Sequence, residues 1–139
     1  MTAMEAMSVE RLAKLALFGE LDHHDLKTLA ARLHEVTAAA GDVLIEQGAL
    51  PTEVFVLEEG TVEVLRDDAL IAALGPGDVV GEIALVDPQR RTATVRAATD
   101  VRAVALRLAD LEVMENEMPE IVRSLRETAS KRLAELDIQ

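Results

Sequence analysis

Between His34 and Leu108 the chain is a series of short β-type runs, VLIEQG, VFVLEEG, TVEVLRD, ALIAALGPGDVVG, ATVRAA and VRAVALRL, set apart by glycine turns. Strands this short at such regular spacing imply a sandwich, a roll or a barrel. The glycines at 41, 48, 60, 75, 77 and 81 fall where the backbone must turn, and Glu59-Gly60 and Asp67-Asp68 read as hairpin corners.

The flanks follow a helical period instead. Ser8 is placed to cap a short helix and Asp22 a second, which carries Leu26, Leu29, Ala30 and Leu33 at the i, i+3, i+4, i+7 spacing. Phe18-Gly19-Glu20-Leu21 reads as a turn with an apolar anchor between them. After Leu108 a short helical piece near Leu111 to Met114 precedes a helix opened by Pro119, a residue suited to the first helical position. Val122, Leu125, Ala129 and Leu136 stripe that helix, with Leu133 beside them. The stripe either packs on the roll or pairs with a second copy in a homodimer. The expected fold is therefore mainly β with flanking helices: an antiparallel β-roll of about eight strands with a short interrupting helix and a C-terminal helix. One domain is expected over 8–138, divided into N-terminal helices 8–33, roll 34–108 and C-terminal helices 109–138. Methionines 1, 4 and 7 are expected to be terminal disorder.

Composition narrows what such a roll can do. Of 139 residues half are apolar, yet only Phe18 and Phe55 are aromatic. The core must be aliphatic, and no Trp or Tyr can stack on a ligand. The absence of cysteine removes disulfides, thiolate metal sites and cysteine nucleophiles together and suits a reducing compartment, so the cytoplasm is expected. No apolar run approaches the ~20 residues of a membrane span, and no signal peptide is recognisable. A net charge of −12 repels nucleic acid and anionic membranes at long range. Neither partner is expected, and no helix-turn-helix with a basic face occurs in these residues. A small anion remains admissible, because screening over about 8 Å lets one local arginine outweigh distant carboxylates.

Catalytic readings fail on the same residues. Metal-binding rolls hold their ion through strand histidines, whereas His23 and His24 lie at a helix start and His34 at a helix–strand junction. No histidine stands near a candidate nucleophile, so a Ser-His-Asp arrangement is not expected. The acidic groups Glu58-Glu59, Asp67-Asp68 and Glu115-Asn116-Glu117 lack calcium-loop spacing and read as solvated surface. No metal and no enzymatic activity are expected.

The informative stretch is Gly77 to Val95, GDVVGEIALVDPQRRTATV. Gly81-Glu82-Ile83-Ala84-Leu85 puts a glycine, an acid and helix formers at a first helical turn, where unpaired backbone N–H groups can meet a phosphate. Arg91, beyond a turn containing Pro88, can return a planar guanidinium to that point. GEIALVDPQRRTAT resembles the phosphate-binding cassette of the cyclic-nucleotide-binding domain family, the type found in catabolite activators and protein kinase A regulatory subunits. Leu17-Phe18-Gly19-Glu20-Leu21, Gly41-Asp42-Val43-Leu44-Ile45 with Gly48, Glu59-Gly60 and Leu74-Gly75-Pro76-Gly77-Asp78 extend the likeness over residues 12 to 135.

The resemblance implies a regulatory sensor that captures cAMP, or else cGMP, and signals through its C-terminal helix to an effector the sequence does not reveal. It implies that Glu82 accepts from the ribose 2′-hydroxyl, Arg91 pairs with the phosphate, backbone at Ile83 and Ala84 cradles it, and Thr92 and Ala93 add a hydroxyl and a backbone contact. Gly81 supplies the turn, and Arg90 is expected to be exposed. Two positions depart from the family. Val80 stands where phenylalanine is common, and Arg132-Leu133 is followed by Leu136-Asp137 where related activators carry an adenine-contacting Thr-Ser. The base would rest on Val64, Ile83, Leu133 or Leu136, or on Arg132. The alternative is a relative that keeps the fold without binding nucleotide and serves as a protein-interaction or dimerisation module. In that case Glu82 and Arg91 would be a structural ion pair.

Overall fold

The structure is a computed structural model that describes residues 2–6, 8–81, 83–86 and 89–136, with backbone alone for 2–6, 16, 86 and 132–136. The strands are β1 Thr2–Ala6, β2 Leu33–Ala38, β3 Val43–Ile45, β4 Glu53–Glu59, β5 Val62–Arg66, β6 Ala69–Leu74, β7 Val79–Val80, β8 Thr94–Ala97 and β9 Val101–Arg107. The helices are α1 Val9–Ala13, α2 His23–Ala30, α3 Ile83–Val86, α4 Leu108–Glu117 and α5 Pro119–Leu136, with a 3-10 turn at Ala16–Phe18. Two antiparallel sheets face each other, ordered β1-β2-β9-β4-β7 and β3-β8-β5-β6. This is the mainly β roll with terminal helices that the sequence implied.

The first sheet is a middle layer, and that explains the unbroken apolar runs VFVL and AVAL. On β4 and β9, Val54, Val56, Val104 and Leu106 face a core shared with the helices, including Leu12, Phe18, Leu29, Leu111 and Leu125. The alternate residues Phe55, Leu57, Ala103 and Ala105 face a second core between the sheets, with Val36, Ile45, Val62 and Val95. A strand covered on both faces loses the polar alternation of a half-exposed one. Fully burying a Leu or Val side chain contributes about 1.5–3 kcal/mol, so β4 and β9 anchor both cores.

Local signals act as read. The Ser8 hydroxyl accepts from the Arg11 N–H at 3.4 Å and the Asp22 carboxylate from the Asp25 N–H at 2.8 Å, capping α1 and α2. Asp67 and Asp68, at φ 51° and 66°, close the β5–β6 hairpin. Both positive angles are those of a two-residue turn whose twist matches its strands. Gly60 differs from its reading: β4 and β5 belong to different sheets, so Glu59-Gly60 is a crossing between sheets and not a hairpin. A Cβ on Gly60, at φ +87°, would lie 2.1 Å from the Asp100 carbonyl oxygen, which reserves the position for glycine.

Met4 is a second correction. It belongs to β1, which pairs antiparallel with β2 and so extends the first sheet, in place of a disordered terminus; Met1 and Met7 lie outside the described residues. The stripe on α5 is occupied within one chain: Val122, Leu125 and Ala129 are buried in the helix-side core together with Ile121. Among the described residues no helix is long and apolar enough to cross a membrane.

Candidate functional site

Strand β7 ends at Val80, and at Gly81, where φ is +78°, the chain turns toward α3. Arg91 returns from the far side of that turn and lays its guanidinium against Gly81. It donates through Nη1 to the Gly81 carbonyl at 3.1 Å and through Nη2 to the Glu53 carbonyl. A Cβ on Gly81 would lie 2.6 Å from Arg91 Nη1 and 2.9 Å from Ile45 Cδ1, so glycine is needed for both its angle and its space.

Arg91 is 8 % exposed. Burial pushes its pKa down from the ordinary arginine value, and no carboxylate among the described residues offsets that. A guanidinium carries five N–H donors, and the protein engages two of its groups through carbonyl oxygens. A desolvated cation with no counter-charge among the described residues favours an anion that brings one.

The backbone of Arg91 is held on both sides by the loop after β3. The Gly48 N–H donates to the Arg91 carbonyl at 2.8 Å, and the Arg91 N–H donates to the Ala49 carbonyl at 2.9 Å. Arg90 is exposed, as expected, and its guanidinium donates to the Gly48 carbonyl at 2.9 Å. Of the two neighbouring arginines, Arg91 is thus the buried one and Arg90 the exposed one.

The other expected residues differ in their placement. Thr92 is exposed, Ala93 is half-buried, and Ile83 is exposed on α3. Val64 is half-buried on β5 opposite Val95 of β8. Ala84 is buried, and its N–H donates to the Gly81 carbonyl at 3.2 Å, so this structure spends on the first turn of α3 a donor that was expected to meet phosphate. Glu82 lies outside the described residues, as do the side chains of Arg132, Leu133 and Leu136.

A link leads from this turn to the C-terminal helix. Arg126 of α5 donates through Nε to the Leu85 carbonyl at 3.1 Å and through Nη1 to Glu115 of α4 at 2.6 Å. That arginine holds the Glu115 carboxyl below the usual carboxylate range. Ala84 and Leu85 share the helix-side core with Ile121, Val122 and Leu125. The Glu53 carbonyl and the Gly48–Ala49 backbone were not among the expected site residues. Backbone groups leave no mark in side-chain identity, and only the glycine at 48 signals the loop. Among the described residues no group of three or more His, Cys, Asp or Glu side chains could hold a metal ion.

A family model described as the cyclic nucleotide-binding domain matches residues 35–117. A cyclic nucleotide-gated potassium channel from Rhizobium etli is 33% identical over 121 residues, 87% of this chain and 34% of the channel. A cAMP-dependent protein kinase regulatory subunit from Candida albicans is 38% identical over 90 residues, 65% of this chain and 20% of that protein. The crystal structure of the N-terminal domain of a transcriptional regulator from Streptomyces coelicolor A3(2) superposes with a TM-score of 0.75 at 35% identity, covering 91% of this chain and 94% of that one. The chain thus spans about a third or less of the curated relatives' length.

Proposed function

The chain belongs to the cyclic nucleotide-binding domain family, and from that premise we propose that it is a sensor that captures cAMP at Arg91 and reports through α5. The observation that carries the reading is the buried guanidinium of Arg91, 8 % exposed and bonded only to carbonyl oxygens among the described residues. A cyclic phosphate supplies a single negative charge, shared by two exocyclic oxygens that suit the planar fork of the guanidinium.

In this reading Gly81 leaves room for the guanidinium, Thr92 and Ala93 flank the phosphate, and the backbone at Ile83 and Ala84 completes the cradle once the Ala84 N–H leaves the Gly81 carbonyl. Glu82 accepts from the ribose hydroxyl. Val64 and Ile83 bound the base, and Arg132, Leu133 and Leu136 at the end of α5 close over it. The adenine preference follows the relatives named for cAMP, with cGMP as the competing ligand. A phosphate that reorders the turn before α3 would act on α5 through the Leu85 carbonyl held by Arg126. The ligand moves α5 only by as much as it prefers one arrangement, so the signal requires contact that differs between the two.

Calorimetric titration of Arg91→Ala with cAMP tests the assignment. Leaving a buried phosphate unpaired should cost about 2–5 kcal/mol of binding, which takes a micromolar site, about −8.2 kcal/mol, to millimolar or weaker. A variant that binds cAMP as tightly as the parent would refute the role given to Arg91.

A further inference from the structure

The tip of the β5–β6 hairpin is tied to the anion site by one side chain. Gln47 donates through Nε2 to the Asp67 carboxylate at 2.8 Å, and its Oε1 accepts from the Asp67 backbone N–H at 2.9 Å. Its own N–H donates to the Thr94 hydroxyl at 3.0 Å. The next two residues, Gly48 and Ala49, hold both backbone groups of Arg91. On the other side of the tip, Arg66 donates through Nε to the Thr92 carbonyl at 3.3 Å.

The three segments, Gln47 to Ala49, Arg66 to Asp67 and Arg90 to Thr94, thus close a hydrogen-bonded ring around the chain that presents the arginine. Within it the turn at Asp67 supplies a rigid post, because both of its central residues are fixed at positive φ. The Gln47 side chain satisfies a turn N–H there and thereby pins the loop that positions Arg91. A short amide side chain meeting a carboxylate and a backbone N–H at once is a two-point contact, which sets orientation as well as distance.

We propose that Gln47 is a positioning residue for the anion site, clasping the Gly48–Ala49 loop to the hairpin tip so that Arg91 meets its ligand pre-aligned. The inference rests on the reading of Arg91 as the phosphate partner. Gln47 itself touches no ligand in this account. Its loss frees the loop, and the affinity then falls by the cost of ordering it on binding.

Calorimetric titration with cAMP, paired with thermal melting, tests this on four proteins: the parent, Gln47→Ala, Asp67→Asn, and Gln47→Glu with Asp67→Asn. Gln47→Ala should bind roughly tenfold more weakly, equivalent to about 1.4 kcal/mol, while melting close to the parent. Asp67→Asn keeps an acceptor for Gln47 and should bind like the parent. The double variant reverses donor and acceptor between the two side chains and should restore affinity. Parent-like affinity in Gln47→Ala, or a double variant no better than Gln47→Ala, would overturn the clasp. If the parent binds no cyclic nucleotide, the reading of Arg91 falls first and the clasp with it.

Discussion

Two arginines in this molecule face opposite situations. Arg11 of α1 meets two carboxylates, donating to Glu58 through Nε at 3.2 Å and Nη2 at 2.5 Å, and to Glu35 through Nη1 at 2.8 Å. Those bonds, led by the one to Glu58, raise its pKa. Arg91 is more deeply buried, meets only carbonyl oxygens among the described residues, and has its pKa lowered by burial. One cation is already neutralised and serves as a fastener between α1 and the first sheet. The other is held in place by backbone carbonyls and meets no anion among the described residues. Charge alone does not mark a ligand site; a buried charge that the described residues leave without a counter-ion is the stronger sign.

The contrast can be broken from the Arg11 side with the largest effect on stability. Arg11→Ala strands the Glu35 and Glu58 carboxylates, 13% and 11% exposed, and should lower unfolding stability by about 1–3 kcal/mol. Chemical denaturation measures it, and cAMP affinity should stay within about twofold of the parent, since the clamp lies apart from Gly81 and Arg91. A comparable loss of affinity would mean that the two arginines do not divide their work in this way.

Gly81→Ala sharpens the other side. Its Cβ would collide with the guanidinium at 2.6 Å, so Arg91 must shift, and cAMP affinity should fall roughly tenfold, about 1.4 kcal/mol. Equal affinity would show that the guanidinium has slack at that point. A smaller effect is expected at Ser8→Ala, which removes the cap of α1 at 3.4 Å and should cost about 0.5–1 kcal/mol of stability with binding untouched. The smallest is expected for Arg91→Leu in the ligand-free protein. Replacing with an apolar side chain a desolvated cation that no carboxylate among the described residues pairs should leave thermal stability unchanged or slightly raised, opposite in sign to Arg11→Ala. A marked loss would identify Arg91 as a structural fastener after all.

Much of this was legible in the residues. The glycine-punctuated runs translated directly into strands because turns at Asp67-Asp68 and Gly77 are local events governed by a few angles. Ser8, Asp22 and Pro119 marked helix starts for the same reason. The cassette placed Arg91, and the choice over Arg90 rested on its position before Thr-Ala-Thr. What stayed hidden was long-range. Nothing in EVFVLEE tells that alternate residues serve two different cores, and the crossing at Gly60 depends on Asp100, which lies on another connection. Likewise the partners of Arg91 and Gln47 are a backbone carbonyl at Glu53 and a hairpin tip at Asp67, neither adjacent in sequence. The strand β1 was missed because MTAMEAM has neither a turn signal nor an alternating pattern and gains its order from pairing with β2.

The central claim is that the buried guanidinium of Arg91 binds a cyclic nucleotide. Calorimetric titration of the purified chain, freed of carried-over nucleotide, with cAMP and with cGMP tests it directly. The account predicts saturable one-to-one binding, with cAMP tighter than cGMP. No heat and no saturation with either ligand would contradict it, and would turn the fold toward a role as an interaction module.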